Sequence, residues 1–477
     1  MPAPASRASP GAITAVLSAG GIVVSLMQTL VVPIIPVLPG LLDASPTSTA
    51  WVVTATLLAA AVITPISGRV GDMYGKRRAL LISLLLLVVG SVVCAASNSL
   101  GPMVLGRFLQ GCSTGAIPLG ISMLRDEIPP ERVGTSVSLM GATLGVGGAV
   151  GLPLAAAVTQ YADWHVLFWL SGGLGAVCLL LVALLVPEST VRTPGRFDVL
   201  GAAGLAAGLA CLMLAIIQGS AWGAGATLGL LAAAALILVG WSFFELRARR
   251  PLVDLRVSAR RPVLFTNLAS VFVGFSMYSM SLTFPQLLQA SPSSGYGFGQ
   301  SMLAAGLAMT PAGLVMMALS PVSARISARR GPRVALMVGL LVIAAGYCFG
   351  LVLMDEVWQI VLSSIITGAG VGIAYSTMPA LIMASVPKTE SGAATGLNAL
   401  MRSIGTSASS AVMSVVLALL TTQVGAAKMP TEQAFQLTFA LSIVAAFIGI
   451  GLTALVPRNS SEPAGPSAPA PETSAAR

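Results

Sequence analysis

The chain has 477 residues, of which 56% are hydrophobic and only 9% are charged, and its formal net charge is +9. A soluble domain carries about 25% charged residues, so this composition excludes an ordinary globular protein and favours a membrane protein. The positive charge does not predict a nucleic-acid partner, because the Lys and Arg residues lie mostly in loops between apolar runs. The five cysteines fall inside those runs without metal-ligand spacing, so neither a metal site nor a cofactor is expected.

Apolar runs recur along almost the whole chain, and each is close to the length of about 20 residues that crosses a bilayer as a helix. Breaks at charged residues and at Gly/Pro clusters divide these runs into fourteen predicted spans. The spans are residues 13–37, 50–70, 79–96, 101–123, 134–158, 166–186, 199–217, 227–244, 263–288, 302–324, 334–353, 357–384, 392–420 and 435–456. The sequence therefore predicts an all-α polytopic protein in a lipid bilayer, with a disordered tail at residues 458–477.

The positive residues also predict the orientation in the membrane. Apart from Arg107, Arg402 and Lys428, every Lys and Arg residue falls in the turns after even-numbered spans, at the edge of such a span (Arg69) or in the two tails. Short loops rich in Lys and Arg stay on the cytoplasmic side of a membrane. Both termini are therefore expected in the cytoplasm, which requires an even number of spans.

An internal repeat divides the chain. Residues 65–77 align without a gap to residues 321–333 at a constant offset of 256, and Arg69 and Gly75 recur as Arg325 and Gly331. Six spans fill less than this offset, so two further helices fit between the copies. We expect a first half at residues 1–190, an inserted pair of helices at 191–256 and a second half at 257–457. Parallel halves with a site at their interface describe a secondary transporter that works by alternating access.

A glycine-rich, charged turn follows the second span. Glycines let two helix ends approach closely, and Asp72 can pair with Lys76 or Arg77. The turn resembles motif A of the major facilitator superfamily, although Met73 stands where a basic residue usually follows the aspartate. We expect it to latch one half to the other, since a basic turn that only sets orientation would need neither the glycines nor the aspartate. The latch residues are Gly68, Gly71, Asp72, Gly75, Lys76 and Arg77.

Two arginines lie well inside predicted spans, away from the span edges. The stretch from Arg107 to Gly111, which includes Gln110, resembles motif B of the same superfamily, and Arg402 resembles a position that is basic in its fourteen-helix exporters. An arginine inside a membrane is costly unless it faces a partner or water, so we expect both to act in substrate binding or coupling. The alternatives are that Arg107 reaches a lipid headgroup and that Arg402 has a packing role.

The fifth span carries small residues at close intervals, which allow tight helix contacts. It resembles motif C, the antiporter signature, but Leu152 separates Gly151 from Pro153 and alanines replace a usual glycine pair. With the fourteen-span layout, the resemblance points to the drug:proton antiporter branch. That branch implies a monomeric exporter of lipophilic or amphipathic small molecules in a bacterial cytoplasmic (inner) membrane. The expected packing residues are Gly141, Gly145, Gly147, Gly151 and Pro153.

None of the sixteen acidic residues lies in the middle third of a span, so the usual buried proton carrier is missing. The acids at the edges are Asp126, Glu127 and Asp43, and we expect either of the first two to couple protons to transport. Amides in an apolar wall suit neutral, amphipathic or anionic solutes, the last through Arg107, although each amide could equally bond a neighbouring helix. The predicted site residues are Gln28, Gln110, Gln218, Asn267, Gln286, Gln289 and Asn398, with Met27, Tyr278 and Phe284 as apolar contacts.

Two other functions stay open at this point. A facilitator or metabolite importer of the same fold fits the degraded motif C. A membrane-embedded lipid-modifying enzyme needs a cluster of His, Asp or Cys, and the sequence has one histidine, His165. The sequence also has no nucleotide-binding loop of the Gly-Lys-Ser/Thr type, so direct use of ATP is not expected.

Overall fold

The computed structural model describes residues 9–35, 37–193, 197–248, 251–424 and 427–457, so the tail predicted at 458–477 lies outside the described residues. The described part is a helical bundle with one short hairpin, β1 (Thr421–Val424) and β2 (Ala427–Pro430). Short 3₁₀ turns occur at Val32–Ile34, Ser113–Gly115, Pro292–Ser294 and Lys388–Glu390. The α-helices are α1 (Pro10–Thr29), α2 (Leu38–Leu41), α3 (Pro46–Thr49), α4 (Trp51–Tyr74), α5 (Lys76–Ala95), α6 (Leu100–Cys112), α7 (Ala116–Glu127), α8 (Pro130–Tyr161), α9 (His165–Leu185), α10 (Val199–Arg247), α11 (Leu255–Ser258), α12 (Arg261–Gln289), α13 (Met302–Ala318), α14 (Ser320–Arg330), α15 (Pro332–Val352), α16 (Val357–Ser385), α17 (Ser391–Leu419) and α18 (Glu432–Ala454).

Thirteen helices in the described ranges are long and apolar enough to cross a membrane. The predicted fourth span is not among them, because the turn Ser113–Gly115 divides it into α6 and α7. The division lies against α4: a Cβ added to Gly111 would be 2.4 Å from the Thr56 carbonyl oxygen, and one added to Gly115 would be 2.0 Å from Ser67 Oγ. The all-α polytopic fold is confirmed, and the structure is compatible with fourteen spans.

Between the two halves, α10 folds back on itself. Its two segments, Val199–Gly219 and Trp222–Arg247, meet at Gly223, whose φ of 84° breaks the helix. Trp241 Nε1 donates to the Gly201 carbonyl oxygen across the two segments at 2.8 Å. The first segment packs on α4 and α17, whereas the second is barely buried, as expected for a helix that faces lipid.

The first half, α1–α9, and the second, α12–α18, each contain buried apolar clusters, and they meet along two seams. The first seam joins α4 to α17, and the second joins α8 to α13. By the internal repeat, α4 corresponds to α13 and α14, so the two seams are related copies. We call the end of the bundle where α4 ends and α17 begins the latch end, and the opposite end the far end.

Candidate functional site

At the latch end, an acidic side chain of the first half caps a helix of the second. Asp72, near the end of α4, accepts hydrogen bonds from the backbone N–H groups of Gly392, at 3.1 Å, and Ala393, at 2.8 Å. These N–H groups belong to the first turn of α17, where they lack intrahelical partners and the helix dipole is positive. A Cβ added to Gly68 would lie 2.2 Å from the Gly392 carbonyl oxygen, so only glycine permits this approach.

The side chain of Lys76 is fully buried beside this cap. Its Nζ lies 2.6 Å from Asp126 Oδ2 and 3.6 Å from Asp72 Oδ1, and it donates to Ser391 Oγ at 3.0 Å. Ser189 also donates to Asp126 Oδ2, at 2.6 Å, whereas Asp126 Oδ1 is buried without a hydrogen-bond partner. One lysine thus joins carboxylates of α4 and α7 to the first residue of α17.

The predicted latch residues Gly75 and Arg77 act within the first half. Gly75 has a φ of 115°, which favours glycine, and an added Cβ would be 2.7 Å from the Glu188 carboxylate. Glu188 accepts the backbone N–H of Arg77 at 3.1 Å, and the Arg77 guanidinium donates to the Ala183 carbonyl oxygen. Glu188 therefore caps the start of α5, and this was not predicted from the sequence.

Helix α7 makes further contacts at the latch end. A Cβ added to Gly71 would lie 2.3 Å from Leu119 Cδ2, so α4 and α7 also approach closely. Arg125 Nη2 donates to the Val386 carbonyl oxygen of the second half at 3.0 Å. Glu127, the other predicted coupling acid, is the last residue of α7. The structure thus brings Asp126 into the latch through its contact with Lys76.

A cavity of about 310 Å³ lies between the halves. It occupies the far-end half of the bundle, because α4 contributes residues 53–57 near its start and α12 contributes residues 277–285 near its end. Among the described residues, Arg107 is the only charged residue in its wall. The lining residues are Ser25, Gln28, Thr29, Val31, Val32, Ile35, Val53, Thr56, Leu57, Arg107, Leu144, Gly145, Gly148, Ala149, Leu152, Met277, Tyr278, Met280, Ser281, Leu282, Pro285, Met309, Ala312, Gly313, Met316 and Thr406.

Arg107 is 2% exposed, and its hydrogen-bond partners in the described part of the chain are all neutral. Its Nη1 donates to Gln110 Oε1 at 2.7 Å and to the Met27 carbonyl oxygen at 3.3 Å, and its Nε donates to the Val52 carbonyl oxygen at 3.3 Å. Gln110 is fixed in turn by donating to Ser91 Oγ at 2.8 Å. Gln28 and Tyr278 line the cavity with Arg107, whereas Gln110 supports the arginine from behind.

The second buried arginine lies in a separate polar network of the second half. Arg402 donates to Asn398 Oδ1 and lies over the Tyr375 ring, 5.2 Å from its centroid. Asn398 Nδ2 donates to Asn267 Oδ1 at 2.9 Å and to Ser270 Oγ at 2.7 Å. None of these residues lines the cavity, and the amides bond α12 to α17.

The remaining predicted contacts lie elsewhere. Gln286 and Gln289 line a smaller cavity of about 220 Å³ at the far end, beside the hairpin. Gln218 of α10 donates to Thr54 Oγ1 at 3.1 Å, and Phe284 is fully buried in the apolar cluster of the second half. These side chains are not brought together with Arg107.

His165 is the first residue of α9, at the far end. Its ring stacks on Trp164, with 3.7 Å between ring centroids, and its Nε2 is 3.2 Å from the Ser97 carbonyl oxygen. Hydrogen bonds from the backbone N–H and ring of His165 hold the pKa of the exposed Asp163 carboxyl below its usual range. These contacts give the histidine a local structural role.

The small residues of α8 face two directions. Gly147 and Gly151 lie against α1, where an added Cβ would be 2.4 Å and 1.9 Å from side chains of that helix. Gly141 lies against α16, Gly145 against α13, and Pro153 meets a glycine of α13. The helix thus packs closely on its own half and on the other half.

Sequence reasoning did not single out the methionines of the cavity wall or Glu188, the acid that caps the start of α5. Met277 and Met280 are three residues apart on α12, and Met309 and Met316 are seven apart on α13, so each pair shares a helix face. That spacing was a usable signal. Glu188 had a weaker one, as an acid directly after the sixth span.

Two halves packed along two seams around a cavity define a secondary transporter fold. The sequence model of the Major Facilitator Superfamily matches residues 17–410 and 266–476. The chain belongs to this superfamily, which confirms the predicted resemblance, and it is a multi-pass membrane protein. The family points to transport rather than catalysis.

Several relatives of the chain carry the names of exporters or resistance proteins. The chain is 28% identical over 425 residues to the tetracenomycin C resistance and export protein of Streptomyces glaucescens, covering 87% of this chain and 78% of that protein. It is 30% identical over 383 residues to the "Probable actinorhodin transporter" of Streptomyces coelicolor, covering 76% and 64% respectively. It is 26% identical over 367 residues to multidrug resistance protein 3 of Bacillus subtilis, covering 75% and 70%.

Solved structures of the superfamily have the same fold. The human organic anion transporter MFSD10 superposes with a TM-score of 0.68 at 17% identity, covering 94% of this chain and all of that one. The proton:xylose symporter XylE gives a TM-score of 0.65 at 15% identity, covering 94% and 96%. At these identities the similarity concerns the fold alone.

Proposed function

We propose that this chain exports lipophilic or amphipathic small molecules by alternating access, in exchange for protons. The observation that carries the proposal is the asymmetry of the bundle: Asp72 and Lys76 close the latch end, while the apolar cavity lies toward the far end. The names of the relatives, which include a tetracenomycin C exporter and a multidrug resistance protein, support export and this class of cargo.

The proposal places the chain as a monomer in a bacterial cytoplasmic membrane, with the latch end and both termini in the cytoplasm. The structure then represents the outward-facing state. The proposed chain consists of a first half that ends at residue 190, an inserted helix pair that ends at residue 256 and a second half, and it transports its substrate without changing it chemically.

Cysteine labelling tests the orientation: with Cys348 replaced by serine, Gly223→Cys should react with a membrane-impermeant maleimide from outside and Ala248→Cys should not. The reverse pattern would invert the orientation.

In this cycle the latch must open before the cavity reaches the cytoplasm. Opening separates Asp72 from the start of α17 and Lys76 from Ser391. A proton on Asp126 would neutralise one partner of Lys76 and so link proton binding to the latch. We therefore assign coupling to Asp126 rather than to the cavity, whose wall has no carboxylate among the described residues.

Flux in proteoliposomes tests the coupling. We expect an imposed pH gradient to accelerate movement of dansylamide, a neutral fluorescent probe, compared with vesicles at equal pH. Protein-free vesicles measure passive leakage. The absence of a cavity carboxylate favours a facilitator as the second candidate, and flux that follows only the dansylamide gradient would establish that function instead.

A further inference from the structure

The charge of the central cavity indicates which molecules it accepts. Its wall carries one positive side chain, Arg107, and no negative one among the described residues. The buried carboxylates of Asp72 and Asp126 lie at the latch end, on the opposite side of the bundle from the cavity. A cationic solute would therefore meet a like charge without a counter-ion.

The positive charge of Arg107 is also uncompensated. Its hydrogen-bond acceptors are two backbone carbonyl oxygens, the amide oxygen of Gln110 and the thioether sulfur of Met27, and no carboxylate in the described ranges forms an ion pair with it. A buried charge without a partner of opposite sign is costly in a low-dielectric interior. A bound anion would supply that partner.

The rest of the wall suits a flat apolar body. Met277, Met280, Met309 and Met316 adapt their flexible side chains to rings of different shape, and Tyr278 adds an aromatic surface. A volume of about 310 Å³ is in the range of small-molecule sites. The polar contribution comes from hydroxyl and amide groups, which can orient a solute without rejecting an anion.

We propose that the preferred substrates are amphipathic organic monoanions, such as sulfonates, carboxylates or phenolates. Their acidic group binds Arg107, and their apolar body packs on the methionines. This inference rests on the proposed export function, and it names the substrate class of the same cavity.

Three dansyl probes of one ring system test it: dansyl sulfonate is an anion, dansylamide is neutral and dansylcadaverine is a cation. Uptake of each is measured in proteoliposomes of phosphatidylcholine, and each protein is characterised by its ratio of dansyl sulfonate to dansylamide uptake. Because this ratio is internal to one preparation, loss of folded protein cancels. We expect a wild-type preference for the anion and the slowest uptake for the cation.

Substitutions then locate the preference. Arg107→Gln should lower the ratio by about tenfold or more, since a charge-assisted hydrogen bond is lost, whereas Arg107→Lys should keep most of it. Arg132→Gln removes an exposed arginine outside the cavity and should leave the ratio unchanged. An unchanged ratio in Arg107→Gln, or a wild-type preference for dansylcadaverine, would overturn the inference while export still stands. Transport of none of the probes would contradict the proposed function itself.

An anionic lipid headgroup has the same chemistry as such a solute. Adding phosphatidylglycerol to the vesicles distinguishes the two sources. We expect dansyl sulfonate uptake to persist in these vesicles. Suppression by a larger factor in wild type than in Arg107→Gln would assign the cavity to lipid and overturn the proposal of a soluble monoanion.

Discussion

The two seams between the halves are copies related by the internal repeat, yet different interactions hold them together. On the first seam, Asp72 of α4 caps α17 and Lys76 lies between two carboxylates. The equivalent residues of the second half are Ala328 and Pro332, so the second seam has no such latch. There, Gly313 of α13 packs against α8 so closely that an added Cβ would be 2.2 Å from a side-chain carbon.

This difference separates two tasks. A charged latch holds one conformation firmly and can release it when a charge is neutralised, whereas close apolar packing allows small sliding movements of helices. In the proposed transport cycle, one seam of the duplicated framework sets the conformational state and the other accommodates it. Substitutions at equivalent positions of the two seams should therefore have unequal effects.

The largest effect is expected for Asp72→Asn. The variant loses the charge that accepts two N–H groups of α17 and leaves Lys76 with one carboxylate, and a hydrogen bond to a charged group is worth about 1.5–3 kcal/mol. Dansylamide flux should fall at least about tenfold, with normal membrane insertion measured by quantitative immunoblotting. Full flux at normal expression would reduce the motif to a basic turn.

A second comparison uses Gly68 and its repeat equivalent, Ala324. In Gly68→Ala the new methyl group meets the Gly392 carbonyl oxygen at 2.2 Å, and such overpacking costs about 1–3 kcal/mol. Ala324→Gly should change little. The readout is disulfide formation between Thr193→Cys and Thr389→Cys, two residues hydrogen-bonded across the latch end. We expect cross-linking to slow about tenfold with Gly68→Ala. Equal cross-linking rates in the Gly68→Ala and Ala324→Gly variants would show that the seams do not differ.

Asp126→Asn should separate coupling from transport. The amide keeps the shape of the side chain but cannot bind the proton or pair with Lys76 as a charge. In this variant we expect dansylamide to move at a rate within a few fold of the wild-type rate, and we expect that rate no longer to respond to an imposed pH gradient. Glu127→Gln, at the adjacent predicted coupling residue, is tested in parallel. Asp43→Asn, an exposed position at the far end, serves as the control and should keep the response. A pH response retained in Asp126→Asn would place the coupling elsewhere.

The sequence alone was sufficient for the fold and for part of the site. Apolar runs and loop charges predict spans and orientation because each depends on local composition, and the glycines around Asp72 predict a close approach. The partner of Asp72 could not be predicted, because Gly392 and Ala393 offer backbone N–H groups that leave no side-chain signal. The separation of Asn398 from the cavity depends on helix rotation, which composition does not fix for spans that are apolar on all sides.

The smallest effect is expected where α10 covers the first seam. Its first segment contacts both α4 and α17, and the second seam has no such cover within the described residues. Gln218 donates to Thr54 Oγ1 at 3.1 Å in this contact, so Gln218→Leu removes one neutral hydrogen bond.

A neutral hydrogen bond contributes about 1 kcal/mol, and the apolar contacts of α10 remain in this variant. We expect Gln218→Leu to lower the midpoint of thermal unfolding by only a few degrees and to change dansylamide flux less than about twofold. Thr54→Val removes the other partner and should have the same effect, and the double variant should add little. A loss of flux comparable to that of Asp72→Asn would instead mean that α10 takes part in holding the latch closed, and the distinction between the two seams would then extend to the inserted helices.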